Sequence, residues 1–466
     1  MDRQIYYEAL PSHDMRFDGK FFVGVRSTGI YCRPVCRVRT PKAENCTFFR
    51  SAAEAEAAGY RPCLKCRPEL APGNSILEAS SDLAEAAARE IEATCGNGER
   101  LAELAERLGC TDRHLRRVFE SKLHVTPLQY RQTCRLLLAK KLLTDTSLSV
   151  LDVAMASGFG SLRRFNAVFE REYKLTPSAL RRQYAGQEKR GDSFTVGVGY
   201  RPPYRWQEML RFLGTRAIPG VEAVRDDAYY RTVRIKEHTG WIKVTLHEKK
   251  STLAVTVSAS LIRVLPQVLS GVRRLFDTDS DPQTICDALR GMRQLHEILP
   301  ICGLRVPSCF DAFETCVRAV LGQQITVKAA TTLAGRIART LGTPLETEIE
   351  GLTHTFPIPD EVLDAGAEAL GALGVLRTRS ASVLELAALY RQNSRITRER
   401  LLAIRGIGPW TADYIAMRVL GDTDAFLPTD YGVKTALAPR TQTEMTALSE
   451  PWRPWRSYAV MNLWNI

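Results

Sequence analysis

Residues 401–431 read LLAIRGIGPWTADYIAMRVLGDTDAFLPTDY, and this stretch decides what kind of molecule the chain is. Gly406-Ile407-Gly408 sits between two segments of helical apolar periodicity, which is the pattern of a helix–hairpin–helix. Lacking β-carbons, Gly406 and Gly408 let a tight turn press its backbone amides against a phosphate. Asp430, beside Tyr431, follows about two helical turns and a loop later. A phosphate clamp with one carboxylate at that distance predicts an enzyme that grips DNA and acts on its bases.

The whole chain is consistent with that partner. Its 466 residues predict about three or four domains, and a net charge of +12 favours a polyanion. Membrane is the other polyanion to weigh. No apolar run reaches about 18 residues, and neither a signal peptide nor a lipidation motif is present. The expectation is a cytoplasmic, nucleoid-associated protein whose partner is nucleic acid rather than membrane. Of the 12 cysteines, Cys46, Cys95, Cys110, Cys134, Cys286, Cys302, Cys309 and Cys316 are scattered, mostly in apolar contexts. They read as small buried hydrophobes in a reducing compartment.

The other four form two close pairs, Cys32-x3-Cys36 and Cys63-x2-Cys66, separated by 26 residues. Four thiolates in two clusters can hold one tetrahedral zinc ion, and a domain this small has little core of its own. A purely structural zinc site satisfies the spacing. A functional one gains support from Arg33, Arg37, Arg39, Arg61 and Arg67, whose guanidiniums could hold a phosphate backbone against the sulfurs.

Residues 17–70, FDGKFFVGVRSTGIYCRPVCRVRTPKAENCTFF…AAGYRPCLKCRPE, resemble the N-terminal domain of the Ada adaptive-response regulators. That resemblance implies that Cys32 is the sulfur that takes a methyl group from a DNA methylphosphotriester, with Cys36, Cys63 and Cys66 as the remaining zinc ligands. Such a transfer is stoichiometric. It removes one ligand charge, which should raise affinity for DNA.

A second pattern repeats. LAELAERLGCTDRHLRRVFESKLHVTP at 101–127 recurs in outline as VLDVAMASGFGSLRRFNAVFEREYKLTP at 150–177. Phe119 and Phe169, Thr126 and Thr176, and Pro127 and Pro177 each lie 50 apart, whereas Gly109 and Gly158 lie 49 apart. Each copy reads as helix, glycine-containing turn and amphipathic helix. Each second helix offers cations: Arg113, Arg116 and Arg117 in one, Arg163 and Arg164 in the other. Two such helices could enter successive major grooves of one duplex. The segment from about 80 to 185 resembles the AraC/XylS DNA-binding domain, which follows the zinc domain directly in Ada proteins.

Beyond a polar linker, β-rich stretches such as YRTVRIKEHTGWIKVTLHE alternate with helical ones, and from Asp311 onward helical periodicity dominates. The run 196–466 resembles the AlkA-type 3-methyladenine DNA glycosylases of the helix–hairpin–helix superfamily, through YRPPYRWQEMLRFL, LRVPSCFDAFE, VRAVLGQQ, GIGPWTADYIAMR, DAFLPTDY and PWRSYAVMNLW. The resemblance makes Asp430 the catalytic carboxylate. It lines the base pocket with Trp410, Tyr414 and Trp464, and more weakly with Phe212 and Tyr431. Where the family can set an apolar wedge into DNA, this chain has Gln324. The expected fold is multidomain: a small zinc α/β domain over 1–76, an all-α double helix-turn-helix domain over 77–186, a linker over 187–195, an α+β domain over 196–305 and an all-α helix–hairpin–helix domain over 306–466.

Chemistry leads to the same assignment. An N-alkylated purine is cationic and leaves readily, so one buried carboxylate can stabilise the oxocarbenium-like sugar and orient water. The flipped base would sit against electron-rich aromatic faces. Bifunctional relatives carry a Schiff-base lysine just after the hairpin. Trp410 occupies that position here, which predicts a monofunctional enzyme. The last cysteine is Cys316, so a C-terminal four-cysteine iron–sulfur cluster is not expected, nor is any organic cofactor. The PCHR methyl-acceptor motif of Ada proteins is absent. The expected protein is therefore a monomer that couples alkylation sensing, promoter binding with the transcription machinery, and base excision from double-stranded DNA. Two other readings stand beside it: a regulator whose glycosylase half only binds DNA, and a zinc-stabilised DNA-binding protein without methyl transfer.

Overall fold

The computed structural model describes residues 3–72, 83–96, 100–184, 192–392 and 396–466. The chain separates into two compact units. The first comprises Met1–Pro202, Leu246–Ser270 and Thr278–Ser280, and the second comprises Pro203–Thr245, Gly271–Asp277 and Asp281–Ile466. Of the expected linker, residues 187–191 lie outside the described residues, and a strand begins at Ser193.

In the first unit a four-stranded sheet brings the cysteine pairs together. Its order is Cys46–Phe49, Phe22–Val25, Ile30–Cys32 and Arg61–Pro62. The strands ending at Cys32 and Pro62 run parallel, with Tyr31 opposite Pro62, and the Cys63 N–H donates to the Tyr31 carbonyl at 3.0 Å. Parallel neighbours that end together deliver both cysteine pairs to one edge. Phe21 and Val23 are buried on the face that carries Cys32, and Phe22 and Tyr31 on the opposite face.

The internal repeat is a structural repeat. Thr111 and Ser161 cap the helices Asp112–Leu123 and Leu162–Tyr173 by accepting backbone N–H bonds. Both helices end on left-handed residues, His124 (φ 57°) and Lys174 (φ 54°). The following helices start from Thr126 and Thr176 caps with proline in the first turn. The caps Thr111 and Ser161 are 50 apart while the turn glycines Gly109 and Gly158, both at positive φ, are 49 apart. The added residue therefore lies between turn and cap. Phe119 and Phe169 are fully buried at matching positions, and the helix Pro127–Asp145 joins the two copies.

The second unit carries antiparallel strands Glu222–Arg225 and Ala228–Ile235, the strand His238–His247 as far as Thr245, and a set of helices organised around two apolar cores. One core packs the helix Ala312–Leu321 (Phe313, Val317, Val320) against Ile337, Leu386, Ile404, Ile407 and Ile415. The other gathers Trp452, Trp455, Tyr458 and Met461 against Phe426, Leu427, Val433 and Leu437. Each such buried side chain contributes about 1.5–3 kcal/mol. Among the described residues no helix is long and apolar enough to cross a membrane. One sequence expectation is corrected here. Cys286 and Cys302, read as separate buried hydrophobes, are joined as a disulfide with Cα atoms 5.3 Å apart, because the chain returns after the helix Pro282–Ala288 and the helical turn Arg290–Gln294.

Candidate functional site

The hairpin forms as its sequence requires. The helix Arg398–Ala403 starts from a Thr397 cap, the turn runs through Gly406 and Gly408, and Pro409 opens the helix Pro409–Ile415. Gly406 has φ +92°, and a β-carbon there would meet the Ser382 hydroxyl at 2.7 Å. At Gly408 a β-carbon would meet open space, which is the clearance a phosphate needs. Arg398 pairs with Asp413 at 2.5 Å across the two helices. The Gln323 amide donates to Gly406 O and Thr411 Oγ1, both at 2.9 Å, and so anchors the turn. Sequence reading passed over Gln323 in favour of its neighbour. Gln324 is exposed with a left-handed φ of 54°. A non-glycine residue held in that strained region and projecting outward is a feature of ligand clamps.

Behind the hairpin lies a cavity of about 1480 Å³, lined among others by Gln324, Trp410, Tyr414, Arg418, Asp430 and Trp464. It is larger than the usual small-molecule site. Asp430 caps the helix Tyr431–Leu437: its Oδ1 accepts the Val433 N–H at 3.1 Å and the Trp464 indole N–H at 2.8 Å. Its Oδ2 accepts the Trp410 indole N–H at 3.1 Å. Capping and site geometry thus coincide in one carboxylate, which two indole N–H groups and one N–H of the helix N-terminus hold in a single orientation.

Aromatic rings surround it. Trp410 stacks on Tyr414 with centroids 5.2 Å apart, and Trp464 stacks on Phe212 at 6.0 Å. Four of the five expected pocket aromatics therefore converge. Tyr431, 84 % exposed at the first position of the helix Tyr431–Leu437, lines the same cavity at its rim. Gly432, unnoticed in the sequence, explains the close approach. A β-carbon there would lie 2.7 Å from Trp464 Cδ1 and 3.3 Å from Asp430 Oδ1.

Cations also reach the cavity. Arg418 is buried in a π-helical turn, Ala416–Leu420, and donates to the Tyr414 hydroxyl at 2.7 Å. Arg216 lies over the Phe212 ring at 3.9 Å. Burial raises the Tyr414 phenol, but the guanidiniums of Arg418, Arg216 and Arg318 outweigh it and hold it below its ordinary range.

In the first unit the sulfur atoms of Cys32, Cys36, Cys63 and Cys66 all lie within 4.8 Å of one another, three of the residues buried. That spread fits tetrahedral zinc, whose Zn–S distance is about 2.3 Å. Hydrogen bonds from Cys32, Cys36 and Cys66 pull the Cys63 thiol below its ordinary range, and the Arg33 backbone N–H donates to Cys66 Sγ at 3.3 Å. The arginines divide. Arg37 is exposed beside the quartet. Arg33 is corrected from phosphate contact to internal anchor, because its side chain is paired with the fully buried Asp18 and also donates to Cys66 O. A buried carboxylate requires that partner. Arg67 is likewise paired, with Glu69 at 2.9 Å and Asp145 at 2.6 Å, and Lys140 completes the buried group. On the paired helices, Arg113, Arg117, Arg163 and Arg164 are exposed, while Arg116 is bonded to Asp112 at 3.0 Å.

Fold and site together define a multidomain DNA-binding repair protein, with a four-cysteine metal site and paired helix-turn-helix elements in one chain with a helix–hairpin–helix aromatic pocket. Three family models match it: the metal binding domain of Ada over 5–69, a helix-turn-helix domain over 104–183 and the AlkA N-terminal domain over 195–311. The chain is 36 % identical over 480 residues to the probable bifunctional transcriptional activator/DNA repair enzyme AlkA of Mycobacterium tuberculosis (strain ATCC 25618 / H37Rv), covering 98 % of this chain and 95 % of that one. It is 35 % identical over 276 residues to DNA-3-methyladenine glycosylase 2 of Escherichia coli (strain K12), covering 57 % of this chain and 95 % of that one. A solved 3-methyladenine DNA-glycosylase from Archaeoglobus fulgidus aligns with a TM-score of 0.49 at 19 % identity, over 58 % of this chain and 97 % of that one. The chain belongs to the family of bifunctional transcriptional activator/DNA repair AlkA proteins.

Proposed function

We propose that this protein is a monofunctional DNA glycosylase that excises alkylated bases such as 3-methyladenine, fused to a methylphosphotriester sensor that activates transcription. The observation that carries the reading is the Asp430 carboxylate, fixed by the Trp410 and Trp464 indoles within an aromatic cavity. As the glycosidic bond breaks, its electron pair leaves with the cationic base, and Asp430 stabilises the positive sugar. Water then adds to the sugar carbon and its proton passes to Asp430 and on to solvent. The rings of Trp410, Tyr414, Trp464 and Phe212 hold the flipped base, Gln324 fills the gap it leaves, and the Gly406–Gly408 turn grips the backbone. With an indole rather than an amine after the hairpin, water is the only nucleophile. Purified full-length protein incubated with methylated duplex should release free 3-methyladenine, and Asp430→Asn should abolish the release. Undiminished release by that variant rejects the mechanism.

In the sensor, the Cys32 sulfur attacks the methyl carbon of a phosphotriester: an S–C bond forms, the O–C bond breaks, and the phosphodiester departs as the anion. A single zinc ion bound by the quartet would keep the sulfurs deprotonated at neutral pH. Arg37 steers the phosphate, and methylated protein binds promoter DNA more tightly through Arg113, Arg117, Arg163 and Arg164. The protein works as a nucleoid-associated monomer with the transcription machinery, its domains spanning 1–76, 77–186, 196–305 and 306–466. Mass spectrometry after exposure to methylated DNA should find one methyl on Cys32. A methyl on any other residue, or none, overturns the assignment.

A further inference from the structure

We infer that Arg379 is a positioning residue for base flipping: it locks the peptide from which Gln324 projects as the probe, and it ties that probe to the hairpin that grips the backbone. The inference rests on the base-excision reading above, in which Gln324 fills the gap left by the flipped base.

The first observation is a cation in an unfavourable place. Arg379 is only 8 % exposed and sits in the first turn of the helix Arg377–Arg391. The N-terminus of a helix carries partial positive charge and disfavours a guanidinium, and a buried charge ordinarily requires an ionic partner. Among the described residues no carboxylate pairs with Arg379, and its Nη2 donates instead to the backbone carbonyl of Gln323, 56 residues earlier. A cation kept under both penalties for one carbonyl marks that carbonyl as the feature being fixed.

The second observation is what the carbonyl belongs to. It is half of the peptide unit that joins Gln323 to Gln324, and Gln324 has a φ of 54°. A residue with a β-carbon is disfavoured there. Rotation of that peptide would let φ relax to negative values and swing the side chain aside. A charged donor on its oxygen opposes the rotation. Both ends of the loop are also fixed, since the Gly322 N–H donates to Arg318 O at 3.0 Å and Thr326 caps the helix Val327–Leu341. The strain is therefore confined to Gln324, which is exposed and lines the cavity.

The third observation is that the same helix holds the hairpin. Ser382 lies three residues beyond Arg379, on the same face, and its Oγ donates to Arg405 O at 2.7 Å. Gln323 closes the triangle, because its amide donates to Gly406 O and Thr411 Oγ1, both at 2.9 Å. Hairpin turn and probe loop thus share one brace, and a phosphate gripped at Gly406–Gly408 sets where Gln324 enters the base stack. An ångström of drift in the loop would leave the grip on the backbone intact and impair flipping.

The test uses full-length protein in excess over methylated duplex. It reads the maximal rate of 3-methyladenine release and the protein concentration that gives half of it. Arg379→Met and Gln324→Ala should each lower the maximal rate about tenfold, with the half-saturating concentration within about twofold of wild type. Because Arg379 acts through Gln324, the double variant should be no more than about twofold slower than the slower single variant. Gln323→Met cuts the side-chain tie without touching the buried cation. It should show the same pattern, and it carries the cycle if Arg379→Met does not fold. Losses that multiply to about 10²-fold in the double variant, a raised half-saturating concentration at an unchanged maximal rate, or wild-type release by a folded Arg379→Met would each overturn the inference. A normal rate from Gln324→Ala would reject the probe role and the inference with it. Wild-type protein that releases no 3-methyladenine would reject the excision reading itself, and the inference falls with it.

Discussion

Cys32, Cys36, Cys63 and Cys66 crowd four sulfur atoms within 4.8 Å, whereas Asp430 stands among aromatic rings and is held by two indoles and one backbone N–H. Both regions stabilise an anion away from bulk water, by opposite means. Four adjacent thiolates repel one another and require a cation, so the geometry of the quartet depends on a bound ion. A single carboxylate is satisfied by neutral donors, and its geometry depends on packing. The first site should fail when its ion is removed, the second when an ångström is lost.

The largest effect expected from this contrast is chelation. Stripping the ion removes about 10–16 kcal/mol of binding free energy from the four-cysteine domain. Hydrogen exchange should then report loss of protection in the strands Phe22–Val25 and Ile30–Cys32. Unchanged protection would mean that the sulfurs do not depend on an ion. Next comes the charged group behind the quartet: Lys140→Met leaves the buried Glu69 with Arg67 alone and should cost about 3 kcal/mol in denaturant unfolding. Adding Glu69→Gln should recover part of that loss. On the other side of the comparison, Gly432→Ala places a methyl 2.7 Å from Trp464 Cδ1. Displacing the indole from Asp430 should slow base release by about tenfold to 10²-fold with little change in Tm; a normal rate would show that the indole contact is incidental.

The smallest effect per pH unit concerns a carboxyl held by neutral donors alone. Glu56 accepts from the hydroxyls of Tyr31, Thr133 and Tyr173, and burial pushes its pKa up from 4.5 to about 8. From pH 4.5 to 8 the native state keeps a proton that the unfolded state has lost. Stability should therefore fall with rising pH across that window, by at most about 1.4 kcal/mol per pH unit, and be flat on either side. Glu56→Gln should remove the slope, which urea titrations at several pH values would read directly.

Much of this was visible in the sequence because it is local. The paired cysteines, the hairpin glycines, the caps at Thr111, Ser161, Thr126 and Thr176, and the distance from turn to Asp430 are all short-range spacings. What escaped depends on residues far apart in the chain. Arg33 looks free beside the cysteines until Asp18 is folded against it, and Arg67 until Asp145 and Lys140 arrive from another helix. Gly432 carries no signal until Trp464 packs over it. Arg418 reads as one more surface cation of an amphipathic helix, and only the packing against Phe212 and Tyr414 shows it to be buried. Adjacency to Asp430 does place Tyr431 at the cavity, but only the fold shows that its ring stays at the exposed rim.

The central claim is that one chain carries a removable-ion methyl acceptor and a packing-held excision carboxylate. Its most direct measurement follows both products in one reaction of full-length protein with methylated duplex: free 3-methyladenine by chromatography and the mass of the Cys32 peptide. Wild-type protein should show both, and Asp430→Asn should retain the methyl on Cys32 while base release falls about 10²–10³-fold. Base release at the wild-type rate from Asp430→Asn, or a Cys32 peptide that stays unmodified in the wild type, would contradict the account.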